Sequence, residues 1–321
     1  MTKYLIRRLL LIIPTLIGAS IIISGLVRLL PGDAVDVLVA EYRGSAADLE
    51  VESAKLRAEL GLDQSWPEQY ANWLWGVLQG DFGHSLQGGQ RSVLDDLAAR
   101  IPVTVELGLI ALLVGTGLAI PIGVYSAIRQ DTTRDYIARS FAIIFLAVPS
   151  FWLATLVISI VIPVLDLPLI PIRFHGFLDQ PIENLKQMWV PGVILGVALA
   201  GGVMRLTRAQ MLEVLRQDYV RTAWAKGLRE RTVVVRHALR NSLIPIVTLI
   251  GIQVPFVIGG SVVLEFIFVL PGMGLRLLRA LGVRDVPVIL GINMIVVFVV
   301  VLANLLVDIT YSILDPRIRY G

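Results

Sequence analysis

Cysteine is absent from this chain of 321 residues, histidine occurs three times, and charged residues make up only 17% of it. Without cysteine there is no disulfide framework, no thiolate metal site and no cysteine nucleophile, and exposure to an oxidising space carries no thiol hazard. Lysine is also scarce. None of Lys3, Lys55, Lys186 and Lys226 follows a glycine, so the Gly-Lys-Ser/Thr ending of a phosphate-binding loop is missing and the chain has no nucleotide-hydrolysing motif of that type. Neither a His-Glu-x-x-His pair, nor a Gly-x-Ser-x-Gly elbow, nor a paired-carboxylate motif occurs. Soluble domains carry about 25% charged residues, whereas this chain is 56% hydrophobic with a mean hydropathy of +0.77. That is more apolar surface than one water-soluble core needs. The net charge of +3 does not form a single patch, because its basic residues gather in particular short loops.

What the sequence has in abundance is long uncharged runs. A helix needs about 20 mainly apolar residues to cross the hydrocarbon layer, and six runs approach or reach that length, at 9–27, 107–128, 140–165, 187–204, 241–264 and 286–307. The fourth is the weakest, being glycine-rich and bounded by Trp189 and Arg205, an interfacial aromatic and a snorkelling cation. The first follows Lys3, Arg7 and Arg8 in the manner of a signal peptide. It is longer than a signal core and lacks a small-residue cleavage site, so a retained helix is expected. Prolines at 14, 121, 149, 163, 245 and 255 fall within the runs, and kinks without function are their default reading.

Orientation follows from lysine and arginine, which favour short cytoplasmic loops. Residues 205–240 hold nine basic and three acidic residues, whereas 31–101 hold five basic and twelve acidic. Those segments belong on opposite sides. Placing 205–240 inside also places the N-terminus, the 129–139 loop and the tail with Arg317 and Arg319 inside, as six spans require. His84 and His175 are then outside and His237 inside, so the three cannot share a metal.

The external segment should be helical around 49–60 and 67–78. The second stretch carries Trp66, Tyr70, Trp73 and Trp75, and Trp73 and Trp75 cannot share a helix face. Part of that aromatic surface is expected at the bilayer interface or against a delivery protein. The other external loops contain Pro168, Pro171 and Pro181, and the turn Pro271-Gly272-Met273-Gly274, where glycine permits angles other residues resist. Glu106, Glu265 and Asp308 lie near or in spans and are candidates for a proton pathway, although each is close to a span end, where pairing or snorkelling also explains it. No internal repeat of the kind found in secondary carriers is evident.

The cytoplasmic stretch 218–246 reads DYVRTAWAKGLRERTVVVRHALRNSLIPI. Tyr219 to Lys226 can form a short helix, Gly227 can end it in left-handed geometry, and 229–240 can begin another amphipathic helix. Ala223 and Ala225 are small enough for close approach to a partner, and Arg221 and Lys226 supply cationic contacts. A membrane-surface loop fits these residues equally well.

This stretch resembles the EAA loop of bacterial ABC importer permeases, with Arg221-Thr222-Ala223 at the EAA position, Lys226 beside the motif's glycine Gly227, and Asn241 with Pro245 closing the pattern. The resemblance extends along the chain through YLIRRLLLIIPTLIGAS, LPGDA, LGLDQ, QYANWL, GDFGHS, ARIPVT, VLPGMG and DPRIRY, which in this order are similar to the B-type permease of dipeptide, oligopeptide, glutathione and nickel importers. The implied fold is an all-α integral membrane protein with six transmembrane helices, the type I ABC importer permease fold. Its implied parts are a cytoplasmic N-terminus and first helix at 1–30, a helical extracytoplasmic insertion at 31–101, a core at 102–312 with coupling loop 205–242, and a cytoplasmic tail at 313–321. The resemblance also implies a bacterial inner (plasma) membrane location and no catalysis or cofactor in this chain. ATP and Mg would sit on two partner ATPase subunits. Further implied partners are a second homologous permease, an extracytoplasmic substrate-binding protein and membrane lipid, with no nucleic acid. Di- or oligopeptides are the expected substrates, with glutathione or a nickel chelate as alternatives. A proton-coupled carrier acting alone is the competing class, and the residues lining the path are not identifiable from sequence.

Overall fold

The computed structural model describes residues 2–29, 32, 34–40, 46–86, 91–165 and 173–314. Residues 30, 31 and 33 of the LPGDA string, Pro168, Pro171 and the ending 315–320 with Arg317 and Arg319 lie outside them. Among the described residues the regular structure is helical, apart from an isolated antiparallel bridge between His84 and Ser92. The helices are α1 (Thr2–Arg28), α2 (Ala34–Ala40), α3 (Ala46–Glu59), α4 (Trp66–Leu78), α5 (Val93–Ile128), α6 (Thr133–Ala147), α7 (Ser150–Leu156), α8 (Ile162–Leu165), α9 (Pro181–Leu215), α10 (Asp218–Ala225), α11 (Glu230–Thr232), α12 (Arg240–Ile267), α13 (Met273–Gly282) and α14 (Val286–Leu314). Two π-helical stretches, Val157–Val161 and Val233–Leu239, join α7 to α8 and α11 to α12.

Among the described residues, five helical segments are long and apolar enough to cross a membrane: Leu10–Arg28, Val93–Ile128, Pro181–Leu215, Glu230–Ile267 and Val286–Thr310. The third expected span, 140–165, is not a straight helix. It is a pair, Thr133–Ala147 and Ser150–Val161, bent by 92°, which makes six spans when counted as one. Pro149 causes the break: it lacks an N–H, and its ring drives the preceding residue out of helical geometry. Val148 and Pro149 are both extended, and the Pro149 carbonyl accepts from Trp152 and Leu153 to start the next helix. Pro14, Pro191, Pro245 and Pro255, by contrast, lie inside continuous helices.

The chain divides into two compact units. One contains Met1–Tyr4, Val103–Pro271 and Val300–Gly321. Its centre is α9, which packs on α6 and α12 and has 67% of its apolar window buried. This was the weakest span in the sequence, and the reason is its packing. An added Cβ on Gly196 would lie 2.7 Å from the Ala111 carbonyl oxygen, and one on Gly201 would lie 2.7 Å from that of Ala142. The glycines that dilute hydropathy let α9 touch the backbones of α5 and α6, as small residues do between membrane helices. Gly196→Val should therefore lower stability by about 1–3 kcal/mol through overpacking. Gly117→Val, at a position with nothing within 4 Å of an added Cβ, is the control. Thermal unfolding in detergent checks this, and equal midpoints for the two variants would refute it.

The same unit ends α12 differently from expectation. Among residues 269–274 the left-handed angle falls on Val269 (φ 54°), while Gly272 is at φ −89°. Phe268 and Leu270 on either side are fully buried, and Leu270 N donates to the Glu265 carbonyl at 2.9 Å. Burial of both neighbours fixes the turn where a β-branched residue must take the strained conformation.

The second unit contains Leu5–Pro102 and Gly272–Val299. Its α4 begins at Ser65, whose N–H and hydroxyl donate to Glu68 at 3.0 and 2.7 Å, and the hydroxyl bond above all holds the Glu68 carboxyl below its ordinary range. Trp66 Nε1 donates to Ser24 Oγ at 2.9 Å, and the Tyr70 and Ser20 hydroxyls are 2.8 Å apart, so these aromatics lie on α1. Trp75 and Leu78 remain exposed. The turn expected at 271–274 leads directly into a helix, α13, at Met273–Gly282. Its Arg276 donates to Asp96 at 2.6 Å, Ser85 at 2.9 Å and Asp285 at 3.2 Å, while Ser85 Oγ donates to Asp285 at 2.6 Å. This buried ionic cluster joins the start of α5, the 81–86 segment and α13 within the unit.

Candidate functional site

The expected short helix is present as α10, one residue earlier at each end than the sequence suggested. Gln217 is extended before it, and Asp218 in its first turn complements the positive helix end. Thr222 Oγ1 donates back to the Asp218 carbonyl at 2.9 Å. At the other end Lys226 N donates to Thr222 O at 3.0 Å and Gly227 N to Trp224 O at 2.9 Å. Gly227 then turns the chain with φ +73°. Nothing lies within 4 Å of an added Cβ there, so within this chain the glycine is needed for its backbone angle and not for space.

One side of α10 is packed. Val220 and Ala223 are buried with Val233, and Val214 and Leu215 at the end of α9 cover them. The expectation that Ala223 lets a partner approach is thus corrected: its small side chain seats the helix on its own protein. Arg221, Thr222, Trp224, Ala225 and Lys226 are exposed. Arg221 Nη1 is 3.6 Å from Asp218 Oδ1, a solvent-exposed pair of little energetic weight.

Asn241 and Pro245, the other singled-out residues, lie on the first turns of α12. Asn241 Nδ2 donates to the Tyr219 hydroxyl at 2.7 Å and to the His237 carbonyl at 3.1 Å. A polar strut therefore links α10 to α12, and Tyr219 is a member of the site that the sequence reading did not assign. Pro245 has no N–H for the Asn241 carbonyl four residues back, which leaves the helix less constrained just after the π-helical stretch. The stretch 229–240, expected to begin a separate amphipathic helix, instead runs through α11 and the π-helical turn into α12 as part of the continuous segment Glu230–Ile267. Beyond it, Met211, Ala127, Val234 and Ala238 form a buried cluster. That cluster brings the ends of α5 (Ala127) and α9 (Met211) into contact with the π-helical stretch (Val234, Ala238).

A second feature near this end of the unit was missed. Asp135 on α6 is fully buried and accepts from Arg208 Nε at 2.8 Å and Nη2 at 2.7 Å, from Ser126 Oγ, and from Asp131 N at 3.0 Å. The pair binds α9 to α6 by a bidentate, charge-assisted contact, and the Ser126 hydroxyl ties α5 to the same carboxylate. In the sequence Asp135 is one of two acids, with Asp131, among the arginines at 129–139, and nothing there marks it as the buried one.

The candidate carboxylates have separate settings. Glu265 is buried and accepts from Thr104 Oγ1 at 2.7 Å, Glu106 accepts from Asn184 Nδ2 at 3.2 Å, and Asp308 lies nearly buried on α14. Thr104 and Glu106 are two residues apart on α5, so these two contacts leave the helix on different sides.

The inner membrane components of binding-protein-dependent transport systems match this chain over residues 119–320. The dipeptide transport system permease protein of Escherichia coli (strain K12) is 36% identical over 342 aligned positions, covering 100% of this chain and 99% of that protein. A putative peptide transport system permease protein of Brucella abortus (strain 2308) is 39% identical over 321 positions, covering both chains completely. A putative peptide permease protein of Brucella ovis is 37% identical with 99% of each covered. With its several membrane-length helices and full-length similarity to such permeases, the chain belongs to the family of binding-protein-dependent transport system inner membrane components.

Proposed function

We propose that this chain is a permease subunit of an ATP-driven peptide importer, and that α10 is the helix through which a separate ATPase drives it. The observation that carries the coupling role is the two-sided construction of α10. Its inner side is fixed to α9 and the π-helical stretch by Val220, Ala223 and Val233, while Arg221, Trp224 and Lys226 are left outward. Peptide as substrate rests on the names of the relatives from Escherichia coli and Brucella.

In this reading the N-terminus, α10 and the tail are cytoplasmic, as the distribution of lysine and arginine favours. The assembly contains a second permease, two ATPase subunits that bind ATP and Mg, and an extracytoplasmic binding protein. ATP-dependent movement of the ATPases shifts α10, and the packed contacts carry that shift into α9 and α12. The permease pair thereby alternates between two packings that open on opposite sides. This chain performs no bond chemistry. Arg221, Thr222, Lys226 and Gly227 belong to the docking surface, Ala223 anchors it, and Asn241 with Tyr219 braces it.

Uptake of a labelled dipeptide by the complex reconstituted in proteoliposomes tests the proposal. Uptake that requires internal ATP supports it, while uptake driven by a proton gradient without ATP overturns it in favour of a lone carrier. Asn241→Ala should lower the uptake rate severalfold by removing the 2.7 Å bond to Tyr219, with the complex still assembled. Unchanged uptake would show that the strut transmits nothing.

A further inference from the structure

Between α6 and α9, at the end that leads to α10, lies a cavity of about 270 Å³. The exposed Arg139 and Arg205 form its rim, and Ala138, Ala142, Ile143 and Met204 supply apolar lining. Both rim arginines are exposed, and neither has a carboxylate partner among the described residues. Arg139 instead lies over the Tyr136 ring, 5.4 Å from its centroid, which holds the guanidinium at the mouth. The third arginine of the lining, Arg208, is neutralised by Asp135, so the uncompensated charge belongs to the rim.

The order of these groups along the helices is informative. α6 enters the apolar layer from Thr133 towards Ala147, so Ala142 and Ile143 are about one turn deeper than Arg139. α9 runs the opposite way, so the adjacent Met204 and Arg205 are nearly level with each other and about one turn deeper than Arg208. Ile143 is exposed, so the apolar lining continues onto the outer surface of α6. A cationic rim with an apolar lining that continues deeper along α6 has the polarity of a phospholipid, with a phosphate at the arginines and acyl chains along Ala142 and Ile143 beside Met204. Free phosphate would satisfy the rim and leave the lining without a function. Basic pockets between membrane helices bind anionic headgroups in this way.

We propose that this cavity binds an anionic phospholipid, with its phosphate between Arg139 and Arg205. Occupancy fills the gap beside the Asp135–Arg208 pair and fixes the end of the bundle from which α10 is suspended.

Native mass spectrometry of the full-length chain in its complex, titrated with phosphatidylglycerol in phosphatidylcholine nanodiscs, provides the test. The double variant Arg139→Gln/Arg205→Gln should bind the anionic lipid roughly thirtyfold more weakly. Arg134→Gln/Arg236→Gln, which removes the same charge outside the cavity, and Arg139→Lys/Arg205→Lys should both retain binding. Inorganic phosphate should not displace the lipid. The proposal is overturned if the double glutamine variant binds as the parent does, or if the outside pair loses as much. It is also overturned if phosphate alone competes fully, or if a photo-crosslinker at Ile143 captures a second polypeptide instead of lipid.

Discussion

Gly227→Asp is expected to abolish transport while membrane insertion and assembly are preserved. The backbone there has φ +73°, and no atom lies within 4 Å of a new Cβ, so the substitution creates no clash inside the chain. A non-glycine residue in the left-handed region costs about 1–2 kcal/mol, and Asp and Asn tolerate that region better than branched residues. Folding therefore survives. What changes is a carboxylate placed next to Lys226, just past the end of α10, whose exposed Arg221 and Trp224 are the proposed ATPase contact. Gly227→Asn supplies the same size and angle without charge and should retain part of the uptake, whereas Gly227→Val, β-branched at a positive φ, should lose order at the end of α10. Normal uptake by a well-expressed Gly227→Asp protein would contradict the docking assignment.

Asp135→Ala should destabilise the folded protein by about 3–5 kcal/mol, because it leaves a partly buried arginine without its carboxylate. Arg208→Met should cost a similar amount by stranding a carboxylate of zero exposure. Asp135→Leu/Arg208→Met removes both charges and should recover most of the loss, since a buried pair exchanged for apolar groups is often near neutral. The difference between the sum of the single effects and the double effect measures the coupling. Thermal or denaturant unfolding in detergent gives all of these values. If each single change cost less than ~1 kcal/mol, the magnitude typical of a surface pair, the clamp would be ordinary surface charge.

Segment-level features were legible because they depend on local composition. Uncharged runs marked the membrane-length helices, and the Gly227 stop located α10, since left-handed geometry is a backbone property of that residue. The α9 span read as weak for a physical reason: hydropathy measures affinity for lipid, and a helix surrounded by protein is selected for close contact, as at Gly196 and Gly201. Pro149 could not be distinguished from Pro14 or Pro255 by sequence, because whether a proline kinks or breaks a span depends on what satisfies the neighbouring carbonyls. The clusters were hidden by separation along the chain. Arg276 and Asp96 are 180 residues apart, and Arg208 and Asp135 are 73 apart. Ala223 was read as an outward residue because its small size is informative, whereas the direction it faces is set by α9 and the π-helical stretch. Tyr219 went unassigned for the same reason, its partner Asn241 being 22 residues away.

The docking role of α10 is tested most directly by a photo-crosslinking residue at position 224, in place of the exposed Trp224, in the complex purified from its native membrane. The same residue in place of the buried Val220 serves as the internal reference. Mass spectrometry of the adducts should find position 224 joined to a peptide of an ATPase subunit, with the yield changed by ATP, and position 220 joined only to this chain. An ATPase that copurifies but never crosslinks to position 224, while that position captures lipid or its own chain, would contradict the account.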